Sequence, residues 1–208
     1  METSADVAVG LIAYLLVIIW VGVWSARRIK GLDDFVLGGR SLGPWVTAIS
    51  ERASGESAWF LMGLPGAAYA AGFREFWSVI GIAFGIFVSW LTIALPLRMQ
   101  THKLGAVTLP EFFARRFPKH ATPLRVVATV SILVFYISYL GAQILGAGKL
   151  FQALLGWDSP LAGSLLGAAI VAAYTLLGGF LAVAITDLIQ GLMMAAVAVV
   201  LPVVVLVN

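Results

Sequence analysis

Five stretches of this chain carry no acidic or basic side chain, and their lengths decide what it can become. They cover residues 7–26, 76–97, 126–148, 159–186 and 188–208, that is 20, 22, 23, 28 and 21 residues. A helix rises 1.5 Å per residue, so about 20 apolar residues cross the hydrocarbon core of a bilayer. Each stretch therefore suffices for one crossing. A sixth segment, 43–72, is apolar at both ends but reads Ser50-Glu51-Arg52-Ala53-Ser54-Gly55-Glu56-Ser57 in its middle. The 208 residues are 61% hydrophobic and 11% charged, against roughly 45–50% and 25% in soluble domains. That excludes a soluble enzyme. With no cysteine and two histidines, thiol catalysis, disulfides and a transition-metal centre are excluded as well. The expectation is an all-α, multi-pass membrane protein with spans at about 7–26, 43–72, 76–97, 126–149, 160–180 and 188–207, requiring no cofactor and binding no nucleic acid.

The first stretch is preceded by Glu2 and Asp6 and followed by Arg27, Arg28 and Lys30, the reverse of a cleavable signal, so it is read as a retained anchor. Six crossings put ten Lys and Arg residues on one side and only Arg74 and Lys149 on the other. The positive-inside rule then places the N-terminus outside and the basic loops in the cytoplasm, and the chain in the inner (cytoplasmic) membrane. Within the second basic loop, Thr108, Pro110 and Glu111 form a helix start, which predicts a short surface helix over 108–117. Tryptophans 20, 24, 45, 77, 90 and 157 are assigned to interfaces and packing.

Charges at membrane depth cost about 2.5–3.5 kcal/mol each on insertion scales and need a partner, water or a use. If 50–57 is helical, Arg52 and Glu56 stand four apart and can pair, while Ser50, Ser54 and Ser57 share the opposite face. Glu51 is then left without a local partner. Gly55, with Pro65-Gly66 beyond it, favours unwinding, and unwound backbone at this depth is tolerated only where it is buried or lines a cavity. Freed carbonyls and helix ends bind small cations and charged solutes. The alternative is a structural ion pair with small packing serines.

Leu37-Gly38-Gly39-Arg40-Ser41-Leu42-Gly43-Pro44, then Ser54, Ser57, Trp59 and 61–66, together resemble the sodium:solute symporter family, in particular its bacterial sodium/proline symporters. The likeness continues through Leu109-Pro110-Glu111-Phe112-Phe113, the Tyr139 region, Tyr174-Thr175, 178–183, Thr186-Asp187 and Gln190. The resemblance implies a LeuT-like fold, with one leading helix and then the first five-helix inverted repeat, its second span broken. It implies sodium-coupled symport of proline or a related amino acid by alternating access, incomplete without a second repeat in the same or another chain. A transporter-like sensor domain of a signalling protein is the alternative. By the same resemblance Ala53, Glu56 and Asp187 serve the cation, and Ser57, Ala58, Trp59 and Tyr139 the substrate. Arg40, Ser50, Glu51, Arg52, Ser54 and Gly55 serve coupling or gating. Sodium is the only metal expected. Judged on the residues alone, Tyr139 reads first as an interfacial or packing aromatic, Asp187 equally as a cap of the sixth span, and Arg40 as another positive-inside residue. In the family's proline transporters an aspartate stands where this chain has Gly55, which leaves substrate and coupling ion open, with proton coupling through a buried glutamate as the other choice.

Overall fold

The computed structural model describes residues 5–207, and among these every regular element is helical. In chain order they are α1 (Ala5–Ala26), α2 (Leu32–Leu37), a 3₁₀ turn (Gly38–Arg40), α3 (Pro44–Ala58), a π turn (Trp59–Gly63) and α4 (Leu64–Ala71). A 3₁₀ turn (Gly72–Glu75) leads to α5 (Phe76–Ser89), a second π turn (Trp90–Ala94) and α6 (Leu95–Lys103). Then come α7 (Leu109–Arg116), α8 (Ala121–Leu155) and α9 (Pro160–Val207). Four helical runs among the described residues are long and apolar enough to cross a membrane: Val9–Ala26, Leu64–Lys103, Pro118–Leu155 and Pro160–Val207.

The six expected spans are thus not separated into six helices. Spans two and three adjoin across the short turn at Gly72–Glu75, and spans five and six lie within α9. Both places carry a glycine outside helical space, Gly72 at φ 61°, ψ −142° and Gly179 at φ 55°, ψ −153°. Backbone of that kind is open to glycine and almost nothing else. The break at Gly179 falls at the end of the expected fifth span, and the expected link 181–187 is helical, with Thr186 and Asp187 buried inside α9.

The second span is also corrected. Residues 50–58 remain helical, and no unwinding occurs at Gly55. The irregularity lies one turn further on, as the π turn Trp59–Gly63, two residues before Pro65. The second π turn, Trp90–Ala94, stands in the same relation to Pro96. A proline inside a helix has no N–H to donate to the residue four back, and its ring clashes with that carbonyl. Inserting one residue into the turn relieves the clash without ending the helix. Pro65 therefore produces a bulge where an opening was expected.

The chain forms two compact units, residues 1–57 with 142–208, and residues 58–141. In the first, α1 crosses α9 at glycines. A Cβ on Gly22 would lie 2.9 Å from Tyr174 Cβ, and one on Gly178 would lie 2.8 Å from the Gly22 carbonyl. Ile18, Tyr174 and Ala182 are buried at this crossing. Small residues let the backbones approach where lipid supplies no hydrophobic drive. The end of α8 packs on the start of α9 in the same manner, Phe151 lying against Gly163. In the second unit, α5 buries none of its residues, and Phe76, Phe84 and Phe87 are each more than 60% exposed. An outward apolar face of this size suits contact with lipid tails. The predicted surface helix is present as α7. Thr108 Oγ1 accepts from the Glu111 N–H at 3.3 Å, and Glu111 Oε2 accepts from the Val107 N–H at 2.9 Å. That reciprocal cap satisfies two donors that a helix start leaves bare.

Candidate functional site

Two rows of residues spaced four apart interlock where α3 meets α9. Along α3, Ile49 and Ala53 lie against Gly191, whose absent side chain would reach within 2.7 Å of Ile49 Cγ2 and 3.3 Å of Ala53 Cβ. The adjacent row, Ser50 and Ser54, then falls on Asp187, one turn before Gly191. Ser50 Oγ donates to Asp187 Oδ2 at 2.9 Å and Ser54 Oγ donates to the same oxygen at 2.6 Å. Residues four apart on a helix share a face, so one close glycine contact is enough to deliver both hydroxyls. Ser50, Asp187 and Ala53 are buried.

Among the described residues the donors to the carboxylate are these two neutral hydroxyls. Among the described residues the ion pairs are Arg52 with Glu51 and Arg115 with Glu111, and neither involves Asp187. An acid in an apolar helix, tied by hydroxyls and unmatched by any lysine or arginine, leaves room for an external cation.

A second polar link lies one turn further along α9. Gln190 Nε2 donates to Tyr14 Oη at 2.5 Å, joining the leading helix α1 to α9. Thr186 is fully buried and its hydroxyl donates to the Val183 carbonyl at 2.9 Å. Sequence reasoning gave Tyr14 no role and noted Gln190 only within a motif. The available signal was a lone phenol midway along the first uncharged run and an amide near the start of the last, since a polar group in such a run needs a partner.

The other expected site residues fall elsewhere. Arg52 pairs with Glu51 beside it instead of with Glu56, and so supplies the partner Glu51 lacked. On an intact helix Glu56 projects about 140° from the Ser50–Ser54 direction, at 100° per residue. Gly55 faces Arg52 at ordinary contact distance, 3.7 Å, so space does not demand glycine there. The side chains of Ser57 and Ala58 lie outside the described residues. Trp59 belongs to the second unit and packs on Gly63, where a Cβ would come within 2.8 Å of its ring. Tyr139, also in that unit, meets Tyr136 edge-on with ring centres 6.4 Å apart. Arg40 closes the Gly38–Arg40 turn at φ 55°, a left-handed backbone uncommon for residues other than glycine. No group of three or more His, Asp or Glu able to hold a metal ion occurs among the described residues.

The model of the sodium:solute symporter family matches residues 35–208. The chain is 37% identical over 202 residues to the osmoregulated proline transporter OpuE of Bacillus subtilis, covering 97% of this chain and 41% of that protein. It is 38% identical over 209 residues to the sodium/proline symporter of Escherichia coli, covering 100% of this chain and 41% of that protein. It is 42% identical over 185 residues to the high-affinity proline transporter PutP of Bacillus subtilis, covering 88% and 39%. The chain thus spans about two fifths of the length of these relatives. No solved structure matches it.

Proposed function

The chain belongs to the sodium:solute symporter family, and on that premise we propose that it forms the N-terminal part of a sodium-coupled symporter for proline or a closely related amino acid. The observation that carries this reading is Asp187, fixed by Ser50 and Ser54 on Oδ2 and matched by no protein cation among the described residues. Sodium takes oxygen ligands, and a carboxylate flanked by two hydroxyls offers them at membrane depth. Because residues 50–58 keep their helix, the ligands supplied here are side-chain oxygens, where freed carbonyls had been expected. The remaining ligands come from outside these residues, in a second repeat of the same or another chain. The relatives' length supports that placement.

Six crossings, the N-terminus outside and a LeuT-like alternating-access cycle complete the proposal. It draws on the basic-residue asymmetry and on the glycine breaks at Gly72 and Gly179. The named relatives are transporters, so this is not an enzyme, and nothing in the structure favours the sensor reading. The test is proline uptake into proteoliposomes by the full-length protein containing this chain. A sodium gradient with the proton gradient collapsed should drive uptake, and Asp187→Asn should reduce it at least tenfold. Uptake driven only by a proton gradient would reject sodium as the coupling ion.

A further inference from the structure

Below the last turn of α1 the first unit holds a cleft of about 310 Å³, separate from the Asp187 cluster. Its walls come from the end of α1, the 31–43 link, the start of α3, and α9 past its break. Two charged side chains line it, Arg28 and Asp34, among apolar neighbours that include Leu42, Val46 and Leu181. The Arg28 guanidinium lies over the Trp24 ring at 3.8 Å from its centre and takes part in no ion pair among the described residues. Asp34 receives the Lys30 N–H on Oδ2 at 3.0 Å. A Cβ at Gly39 would collide with the other oxygen at 2.7 Å, so glycine there makes room for the carboxylate.

What fits this cleft follows from the surface that runs into it. Ile12, Leu16, Trp20 and Trp24 are spaced four apart along α1, with Arg28 one turn on, and residues so spaced form a single ridge. Ile12, Leu16 and Trp20 are all more than half exposed, and Trp20 stacks on Trp24 at 6.3 Å. From Ile12 to Trp24 the ridge runs about 18 Å at 1.5 Å per residue, about the depth of one lipid leaflet, and Arg28 stands just past the end of α1. An apolar ridge of leaflet length that ends at a guanidinium on an indole matches an acyl chain below a phosphodiester. Asp34, in the same cleft, adds a group that recognises an ammonium.

We propose that this cleft binds one aminophospholipid, its phosphodiester held by Arg28, its headgroup ammonium by Asp34, and an acyl chain along the α1 ridge. The site is independent of the symport reading, requiring only that α1 span the membrane. It predicts selectivity: a neutral pair of lining charges favours a zwitterionic headgroup with N–H donors over an anionic one. The experiment is native mass spectrometry of the full-length protein containing this chain, released from detergent with equal amounts of phosphatidylethanolamine and phosphatidylglycerol. The first should be retained about tenfold over the second, the discrimination of one well-placed charged contact. Arg28→Gln should lose both lipids. Asp34→Asn should lose the preference while still binding phosphatidylglycerol. The competition on the unsubstituted chain needs no variant to fold, and equal retention, or preference for the anionic lipid, overturns the proposal by reducing the cleft to a basic interfacial patch.

Discussion

Removing either hydroxyl from Asp187 leaves a buried carboxylate short of a donor. A hydrogen bond to a charged group contributes about 1.5–3 kcal/mol, so Ser54→Ala, which loses the 2.6 Å contact, should raise the sodium concentration for half-maximal proline uptake by roughly tenfold or more. Ser54→Thr keeps the oxygen and should keep most of the affinity. Equal half-saturation for alanine and wild type would remove Ser54 from the cation site. The serine face was legible in the sequence because three serines at helical spacing within one span share a side. That Ser50 and Ser54 meet Asp187, more than 130 residues later, was not, since the meeting depends on the close approach at Gly191. The ion pair shows the opposite outcome. A four-residue spacing suggested Arg52 with Glu56, but the guanidinium folds back onto Glu51, its neighbour in sequence.

Elements are shaped here by glycine and proline. Gly179 combines a φ of 55° with the Phe35 carbonyl 2.6 Å from where a Cβ would stand. Gly179→Ala adds both backbone strain, about 1–3 kcal/mol, and a steric collision with backbone. The expected result is a lower thermal midpoint for the chain in detergent, whereas Gly10→Ala, with nothing within 4 Å, should hold or raise it by Ala's better helix propensity. In α7 the Val107 N–H, with Arg115 beside it, holds the Glu111 carboxyl below its ordinary value of 4.5. A depressed pKa means the cap stabilises α7 above the ordinary value and loses its contribution as pH falls through the lowered one. Amide protection factors at 107–116 should therefore fall below about pH 4.5, the loss being complete under the lowered pKa. Glu111→Gln should flatten that dependence; a variant that kept it would assign the pH response to another group.

For the whole molecule, the cysteine-free sequence permits a direct test of topology. Single cysteines placed by Lys103→Cys and Arg74→Cys should be labelled by an impermeant maleimide from the cytoplasmic and outer sides, respectively. If Leu64–Lys103 crosses only once, Arg74→Cys would sit inside the bilayer and resist labelling from both sides. Residue order alone requires helices apolar enough to cross a membrane and a polar interruption within one of them. These follow from the cost of burying charge and unpaired backbone in hydrocarbon, a cost set by composition and run length alone. Where helices bend or break, and which distant hydroxyls reach the carboxylate, is settled in three dimensions. Those outcomes turn on contacts between residues far apart in the chain, Gly191 with Ile49 and Gly179 with Phe35, and on a clash at Pro65 that can be relieved by opening the helix or by bulging it.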